Sequence, residues 1–223
     1  MKTLPVFVRS FYIFLRLFFY LLYNPFAWTY DLVANIVSLG MWKNWVVSVL
    51  PYLDGPYILE IGHGPGHLQK ALRNKLPKAK CVCGLDLSRT MGRITRKRLV
   101  RGGIVPRLVN GRAQQLPFSK ETFHQVVATF PAEYILQPET FIEVSRVLKP
   151  GGAFVILPLA WITGQAIHER AAAGLFHITG QAPAWDERIL EPIKKIGFQT
   201  KVEWITFKSS KLLVILADKP NLL

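Results

Sequence analysis

The sequence has little cysteine, and this shortage limits the chemistry available to the protein. Only two of its 223 residues are cysteine. Cys81 and Cys83 lie two positions apart in one apolar run, on the same face of a predicted strand but too near for an ordinary disulfide. We interpret both as packing residues in a reducing compartment. A metal centre needs further ligands, and no second cluster of ligand residues is present, so we predict no metal site.

Acidic side chains are also scarce, with 14 Asp and Glu against 28 Lys and Arg, for a formal net charge of +14. Such an excess of one sign indicates an anionic partner, which is either nucleic acid or the surface of a lipid bilayer. Residues 1–55 hold four basic and two acidic side chains, and the remainder holds 24 and 12. The globular part is therefore basic in its own right.

The N-terminal segment lacks a small-residue cleavage site, which argues against a signal peptide. Residues 4–23 are apolar and aromatic over about the ~20 residues that span a bilayer as a helix, but Arg16 lies well inside them. An arginine there costs roughly 2.5–3.5 kcal/mol. Lys2, Arg9 and Arg16 recur every seven residues, which places them along one side of a helix. We predict a helix that lies in the interface of an anionic membrane, on its cytoplasmic face.

The length leaves room for one α/β domain and an appendage. We assign residues 1–53 to hydrophobic N-terminal helices and residues 54–223 to the domain. Residues 26–50 continue with tryptophans among aliphatic residues, and we expect one or two further helices there that form a lid over the site or extend the membrane-facing surface. The alternative is that the N-terminal segment packs on the protein's own core or on a partner subunit, in a soluble cytoplasmic protein.

A glycine-rich turn follows the first apolar strand of this domain. Residues 57–61 form the strand, residues 62–66 contain three glycines, and residues 68–72 begin a helix. A strand, a glycine turn and a helix are the first unit of a nucleotide-binding α/β fold. Glycine is needed where the backbone approaches a ligand closely or takes a positive φ.

Two carboxylates stand at the ends of predicted strands. Glu60 comes just before the glycine turn and is placed to bind polar groups of a ligand. Asp86 ends the second strand, 20 residues after Gly66, as expected of a carboxylate that binds ribose hydroxyls. The pair predicts a nucleoside site at this edge of the sheet.

Four ordered blocks of the sequence resemble the class I S-adenosylmethionine-dependent methyltransferases, particularly the branch that often acts on lipids, quinones and small molecules. The blocks are residues 60–66 (EIGHGPG), 84–88 (GLDLS), 110–118 (NGRAQQLPF) and 141–154 (FIEVSRVLKPGGAF). The resemblance implies S-adenosylmethionine as cofactor and methyl transfer to a small or hydrophobic acceptor.

The resemblance also implies the positions of the cofactor-binding residues. Glu60 and the turn face the methionine portion, Asp86 holds the ribose, and residues 112–114 border the adenine. Arg112 stands where the family commonly has an aspartate, and arginine cannot accept a hydrogen bond from the adenine amino group, so that role falls to backbone or to Gln114. The implied cofactor-binding residues are Glu60, Gly62, His63, Gly64, Gly66, Asp86, Leu87, Arg112, Ala113, Gln114, Thr129 and Phe130.

Methyl transfer from a sulfonium is an in-line displacement, so alignment and exclusion of water supply most of its acceleration. A general base is needed only where the acceptor carries a proton of high pKa. The candidates for that role are His168, Glu133 and Tyr134, each of which also has an ordinary structural interpretation. The catalytic residue is otherwise unassigned.

Apolar runs alternate with helical stretches, which predicts an α/β fold with a Rossmann-like, doubly wound, mostly parallel sheet. Three residues separate the last two runs, and so short a link requires an antiparallel hairpin. The resemblance implies seven strands, with the last one antiparallel. The predicted strands are 57–61, 80–85, 104–109, 125–130, 153–158, 199–207 and 211–217.

Three functions are compatible with these features. The first is methyl transfer to a lipid, a quinone or a similar acceptor at a membrane surface. The second is an RNA or protein methyltransferase that uses its basic surface, although no separate RNA-binding module is present. The third is a non-catalytic binding module that keeps the fold, an alternative suggested by Arg112.

Overall fold

The computed structural model describes residues 29–163 and 187–221. The strands of this part of the chain are β1 (Tyr57–Ile61), β2 (Cys81–Asp86), β3 (Leu108–Asn110), β4 (Phe123–Thr129), β5 (Leu148–Ile162), β6 (Gln199–Phe207) and β7 (Ser210–Asp218). Its α-helices are α1 (Tyr30–Val37), α2 (Trp42–Val47), α3 (His67–Lys75), α4 (Arg89–Arg101), α5 (Pro138–Val147) and α6 (Glu191–Lys195). Short 3-10 turns cover Leu50–Tyr52, Glu133–Leu136 and Glu187–Leu190.

The seven strands form one sheet in the order β3-β2-β1-β4-β5-β7-β6. Neighbours are parallel from β3 to β5, and β7 runs antiparallel to both β5 and β6. This confirms the predicted Rossmann-like sheet with one reversed strand at the end of the chain. The strand order reverses between β1 and β4, and ligands of such sheets bind beyond the carboxyl ends of the strands at this point.

Most of the predicted strands differ in at least one end from the structure, and the changes in β3 and β4 have clear physical causes. β3 was expected over 104–109 but covers only Leu108–Asn110, because Pro106 has no N–H to donate to a ladder. β4 was expected to reach Phe130, but it ends at Thr129 because Phe130 adopts a φ of 47°. β4 therefore stops at the edge of the sheet where the site lies.

The fifth strand is much longer than predicted. The strand was predicted over 153–158, but β5 already starts at Leu148 and includes residues 149–152 as a bulge. Leu148 pairs with Phe123 and Ala153 with Gln125, so β5 has extra residues at this point. Pairing with β7 extends the other end of β5 to Ile162.

Helices cover both faces of the sheet. α2 and α3 pack on one face through Trp45, Leu68 and Leu72, all fully buried, while α5 and α6 cover the other face. Residues 29–52 therefore supply part of the domain core. The predicted interfacial helix over 4–23 lies outside the described residues. Within those residues no single helix has the length and apolar composition to cross a bilayer, and α1 with residues 42–52 meets that test only as a pair bent by 92°.

Candidate active site

The glycine turn joins β1 to α3 at the carboxyl edge of the sheet. Gly62 has a φ of 73° and its N–H donates to the carbonyl of Leu85 at 2.7 Å. Gly66, with a φ of 83°, is the N-cap of α3. A Cβ on Gly62 would collide with the Tyr134 hydroxyl, and a Cβ on Gly66 would collide with the Thr95 side chain. Side chains at these two positions would therefore clash as well as strain the backbone.

Asp86 lies beside this turn, as the sequence predicted. Its Oδ2 accepts a hydrogen bond from the Gly64 N–H and its Oδ1 accepts one from the Ser88 N–H, each at 2.8 Å. A carboxylate has about four acceptor positions, so two backbone donors leave acceptor capacity for the hydroxyls of a ribose. The two bonds fix the orientation of the carboxylate before any ligand arrives.

Asn110, to which the sequence assigned no role, holds the next turn in place. Its Nδ2 donates to the carbonyls of Asp86 and Leu87 at 2.9 and 2.8 Å, and its Oδ1 accepts from Arg89 Nε at 3.4 Å. Leu87, a predicted cofactor-binding residue, has an exposed side chain beside Asp86. Asn110 pairs with Asp86 in the register of β2 and β3. Its role therefore depends on which strands are neighbours in the sheet, and the residues around Asn110 do not indicate this.

Glu60 has a buried carboxyl group, only 1% exposed, which accepts a hydrogen bond from Gln69 Nε2 at 2.8 Å. Burial raises the pKa of Glu60 to about 8, the Gln69 hydrogen bond lowers it in part, and the nearby charge of Asp86 raises it further. Glu60 is therefore mostly protonated at neutral pH. Gln69 was not predicted, although a polar residue next to Leu68 on the buried side of α3 is a signal for such a partner.

His63 lies buried beneath the turn. Its Nδ1 is 2.8 Å from the carbonyl of Gly64, to which it donates in the Nδ1-protonated tautomer, and 4.0 Å from Asp86 Oδ2. Burial lowers the pKa of His63, more than the neighbouring Asp86 raises it. The imidazole is thus neutral near pH 7 and supports the turn from inside.

The remaining predicted cofactor residues follow the ends of β3 and β4. Residues 112–114 start beside Asp86, with Arg112 exposed and Ala113 buried. Gln114 Nε2 donates to Gln137 Oε1 at 2.8 Å. Thr129 lines the same cavity as Glu60, whereas Phe130 packs against the α2 side chain of Trp42, with ring centroids 4.6 Å apart. The structure thus places these residues on two sides of the turn.

Of the three acid–base candidates, His168 lies outside the described residues. Tyr134 brings its hydroxyl next to Gly62, at the inner side of the turn. Glu133 is exposed at the start of a 3-10 turn. Tyr134 is therefore the candidate in the described part of the chain that lies within the predicted site.

The cavity at the turn is small and has an aromatic cover. It encloses about 30 Å³ and is bounded by Glu60 and Thr129 on the sheet side, and by Tyr30, Trp42 and Val46 of α1 and α2 on the outer side. Pockets that bind small molecules usually have ~300 Å³ or more. α1 and α2 therefore cover this side of the cavity, while the lid role of residues 26–50 stays a prediction.

A polar contact fastens α1 to the glycine turn. Asp31 Oδ1 is 2.8 Å from His67 Nε2, and Asp31 Oδ2 accepts a hydrogen bond from Arg98, which also donates to the carbonyl of Pro65. Burial raises the pKa of Asp31, but His67 and Arg98 together outweigh it and lower the pKa to about 2. The three side chains, which we term the α1 latch, come from distant parts of the sequence. Local patterns did not predict them.

The donor set fits a nucleoside cofactor with a cationic amino acid portion. Asp86 has free acceptor capacity for hydroxyl groups. A cation next to Glu60 favours the ionised form of its carboxyl group, so that Glu60 loses its proton when the cation binds. Within residues 29–163 and 187–221, no three His, Cys, Asp or Glu side chains are grouped as metal ligands. A larger open groove of about 320 Å³, lined by Ile142, Arg146 and Lys219, lies at the opposite edge of the sheet.

Comparison with known sequences identifies the central part of the chain. A family model described as a methyltransferase domain matches residues 58–152. The chain is 29% identical over 142 residues to a ubiquinone/menaquinone biosynthesis C-methyltransferase of Wigglesworthia glossinidia brevipalpis, covering 61% of this chain and 57% of that enzyme. It is 27% identical over 191 residues to the enzyme of the same name from Paracoccus denitrificans, covering 79% and 76%. The chain thus spans little more than half the length of the first relative.

Solved structures agree on the fold. A Haemonchus contortus phosphoethanolamine N-methyltransferase 2, in complex with phosphomonomethylethanolamine and S-adenosylhomocysteine, has a TM-score of 0.58 at 20% identity, covering 80% of this chain and 53% of that one. An S-adenosylmethionine-dependent methyltransferase of Aquifex aeolicus has a TM-score of 0.58 at 14% identity, covering 78% and 88%. At these identities the likeness shows a shared fold.

Proposed function

Because this chain belongs to the class I S-adenosylmethionine-dependent methyltransferases and uses S-adenosylmethionine as its cofactor, we propose that it transfers a methyl group to a hydrophobic acceptor, a quinone or a lipid, at a membrane surface. The observation that carries this proposal is the juxtaposition of two carboxyl groups, Glu60 and Asp86, with a turn whose outer wall is aromatic. The carboxyl groups suit the cofactor, and the wall suits an apolar acceptor.

The cofactor, when bound, would supply a methyl group on a sulfonium: the acceptor would bond to the methyl carbon in line as the methyl–sulfur bond breaks, and the neutral thioether would leave. In the proposed complex Asp86 accepts hydrogen bonds from the ribose hydroxyls, and Glu60 balances the ammonium of the methionine portion. The lid of Tyr30 and Trp42 excludes water from the reacting atoms. These residues bind, orient and desolvate, which is most of what such a displacement requires.

The acceptor class is inferred from the wall and from the relatives. Trp42 contacts Phe130 at 4.6 Å and Tyr30 at 6.0 Å between ring centroids, which gives one side of the cavity an aromatic surface suited to a planar ring. The two relatives described above are named as C-methyltransferases of ubiquinone and menaquinone biosynthesis. The favoured acceptor atom is therefore a ring carbon of the reduced quinol, which supplies the electron pair for the new carbon–carbon bond and then loses its ring proton to a base or to solvent.

We expect purified protein with methyl-labelled cofactor to transfer label to the lipid extract of a cell and to a demethylated isoprenoid quinol. Labelled RNA or labelled protein as the main product would contradict the acceptor class. Absence of label in all fractions, with normal cofactor binding, would instead support a binding module without catalysis. The Asp86→Ala variant is the control, because it lacks the proposed ribose contact.

The membrane location rests on residues 4–23, whose basic side chains recur every seven positions. We expect removal of residues 1–24 to abolish sedimentation with neutral phosphatidylcholine vesicles, since the apolar helix supplies the insertion energy. Cofactor affinity should be retained, because the cavity residues begin at Tyr30. Undiminished binding of the shortened chain to neutral vesicles would refute the interfacial helix.

A further inference from the structure

The positive charge of the protein is concentrated in one stretch of the chain. Residues 61–120 contain 14 Lys and Arg and a single acidic residue, Asp86. The whole protein has a net charge of +14, so the rest of the chain is almost neutral. The charge imbalance thus belongs to the region that contains α3 and α4.

The structure places six of these 14 basic side chains on the exposed sides of two adjacent helices. α3 and α4 contact each other, and they bury Leu72, Met91 and Leu99 beneath them. Their opposite sides carry exposed basic residues at helical spacing, which we term the basic face: Lys70 and Arg73 on α3, and Arg93, Arg96, Lys97 and Arg101 on α4.

The side chains of the basic face have no carboxylate partners among the described residues. Among the described residues, no carboxylate lies within salt-bridge distance of its six side chains, and the acid that approaches α4, Asp31, is bound to Arg98. Uncompensated charge of one sign over two adjacent helices lowers stability through self-repulsion. Its retention at the surface calls for an anionic counterpart outside the chain.

Exposed aliphatic side chains lie beside this charge. Leu32 and Ile36, 60% and 61% exposed, are one turn apart on α1, and the α1 latch fastens that helix to the first residue of α3 and to Arg98 of α4. Val100, 59% exposed, lies within the basic face itself. Apolar groups next to uncompensated cations form the pattern of a surface that rests on lipid.

We propose that the basic face, together with Leu32 and Ile36, is a second membrane contact, which binds anionic phospholipid headgroups. A lipid surface fits better than RNA because single-stranded nucleic acid is usually bound with aromatic stacking. The exposed aromatic rings of the described residues, Tyr57 and Trp204, belong to β1 and β6. Stable anchoring to a bilayer takes two signals, and a basic patch complements an apolar insertion.

The second membrane contact determines which way the cavity at the turn faces. α1 supplies both the exposed Leu32 and the cavity residue Tyr30, so seating α1 on lipid brings the cover of the cleft to the bilayer. This orientation rests on the proposed function, since it serves an acceptor that is dissolved in the membrane. The binding itself is measured without any acceptor.

The test uses the full chain with four basic residues of α4 replaced: Arg93→Gln, Arg96→Gln, Lys97→Gln and Arg101→Gln. The matched control makes the same change of charge around β6 and β7, at the other end of the strand order from β2 and β3: Lys194→Gln, Lys195→Gln, Lys208→Gln and Lys211→Gln, all exposed. Binding is measured by flotation with phosphatidylcholine vesicles, with and without phosphatidylglycerol. At low salt we expect the α4 variant to bind the anionic vesicles on the order of 100-fold more weakly.

The control variant should bind close to the level of the unmodified protein, and both variants should retain cofactor affinity. Equal losses in the two variants would show an effect of net charge alone and overturn the proposal. It is also overturned if the α4 variant loses RNA binding but keeps binding to anionic vesicles. A protein that binds these vesicles through α4 yet methylates no hydrophobic acceptor would contradict only the proposed function.

Discussion

Replacement of Asp86 by Ala is expected to weaken S-adenosylmethionine binding by roughly 100-fold or more, because hydrogen bonds to a charged acceptor contribute about 1.5–3 kcal/mol each. The substitution removes the predicted ribose acceptor. It also leaves the N–H groups of Gly64 and Ser88 without their partner. Two effects therefore act in the same direction, one on the ligand and one on the shape of the turn.

Isothermal titration with the cofactor measures this loss, and thermal unfolding reports whether the variant is folded. Asp86→Asn, which keeps the side-chain volume, serves if the alanine variant does not fold. Asp218→Ala is the matched control, because this aspartate also ends a strand but is exposed at the far side of the sheet. Unchanged cofactor affinity in a folded Asp86 variant would remove Asp86 from the site.

Replacement of Glu60 by Gln is expected to change stability and binding in opposite directions. Burial raises the pKa of Glu60 from 4.5 to about 8, so the folded protein keeps this proton over a pH range in which the unfolded chain has lost it. The contribution of Glu60 to stability is complete below pH 4.5 and disappears as the pH rises to 8. The amide of the Glu60→Gln variant has no such proton, and at pH 8 we expect this variant to be more stable than the unmodified protein by about 2–4 kcal/mol.

Cofactor binding by the Glu60→Gln variant should be weaker, because a neutral amide cannot balance the ammonium of the methionine portion. In the unmodified protein the affinity should rise toward pH 8, since ionised Glu60 is the form that a cation favours. Titration in buffers of different ionisation enthalpy detects the released proton. Glu139→Gln, at an exposed carboxyl in the first turn of α5, is the control. A pH-independent affinity would contradict this role of Glu60.

Sequence patterns predicted the approximate positions of the strands along the chain and the two carboxyl groups, because both depend on local features. A strand that ends in Glu60 and a glycine turn, or in Asp86 and a helix start, is visible within about ten residues. The ends of β3 and β5 could not be predicted as well from the sequence. They depend on which strands pair, and β5 reaches Ile162 only because β7 lies beside it.

Long-range partners were outside the reach of such patterns. Gln69 approaches Glu60 only after α3 folds back on the sheet, and the α1 latch joins residues that are 36 and 67 positions apart. The basic face was likewise not predicted, because a net charge of +14 does not show where the basic side chains lie on the surface. Such features require three-dimensional neighbours.

The small cavity also has a consequence for turnover. Tyr30 and Trp42 fill the space in front of the turn. We therefore expect the spent cofactor to leave, and a fresh one to enter, on this side of the cavity. We expect α1 to move away from the turn during this exchange, and Leu39 and Gly40, with positive φ angles of 51° and 79°, lie in the short link between α1 and α2 that would bend. We therefore expect substitutions that weaken the contacts of Asp31 with His67 and Arg98 to change the rate at which the cofactor is exchanged.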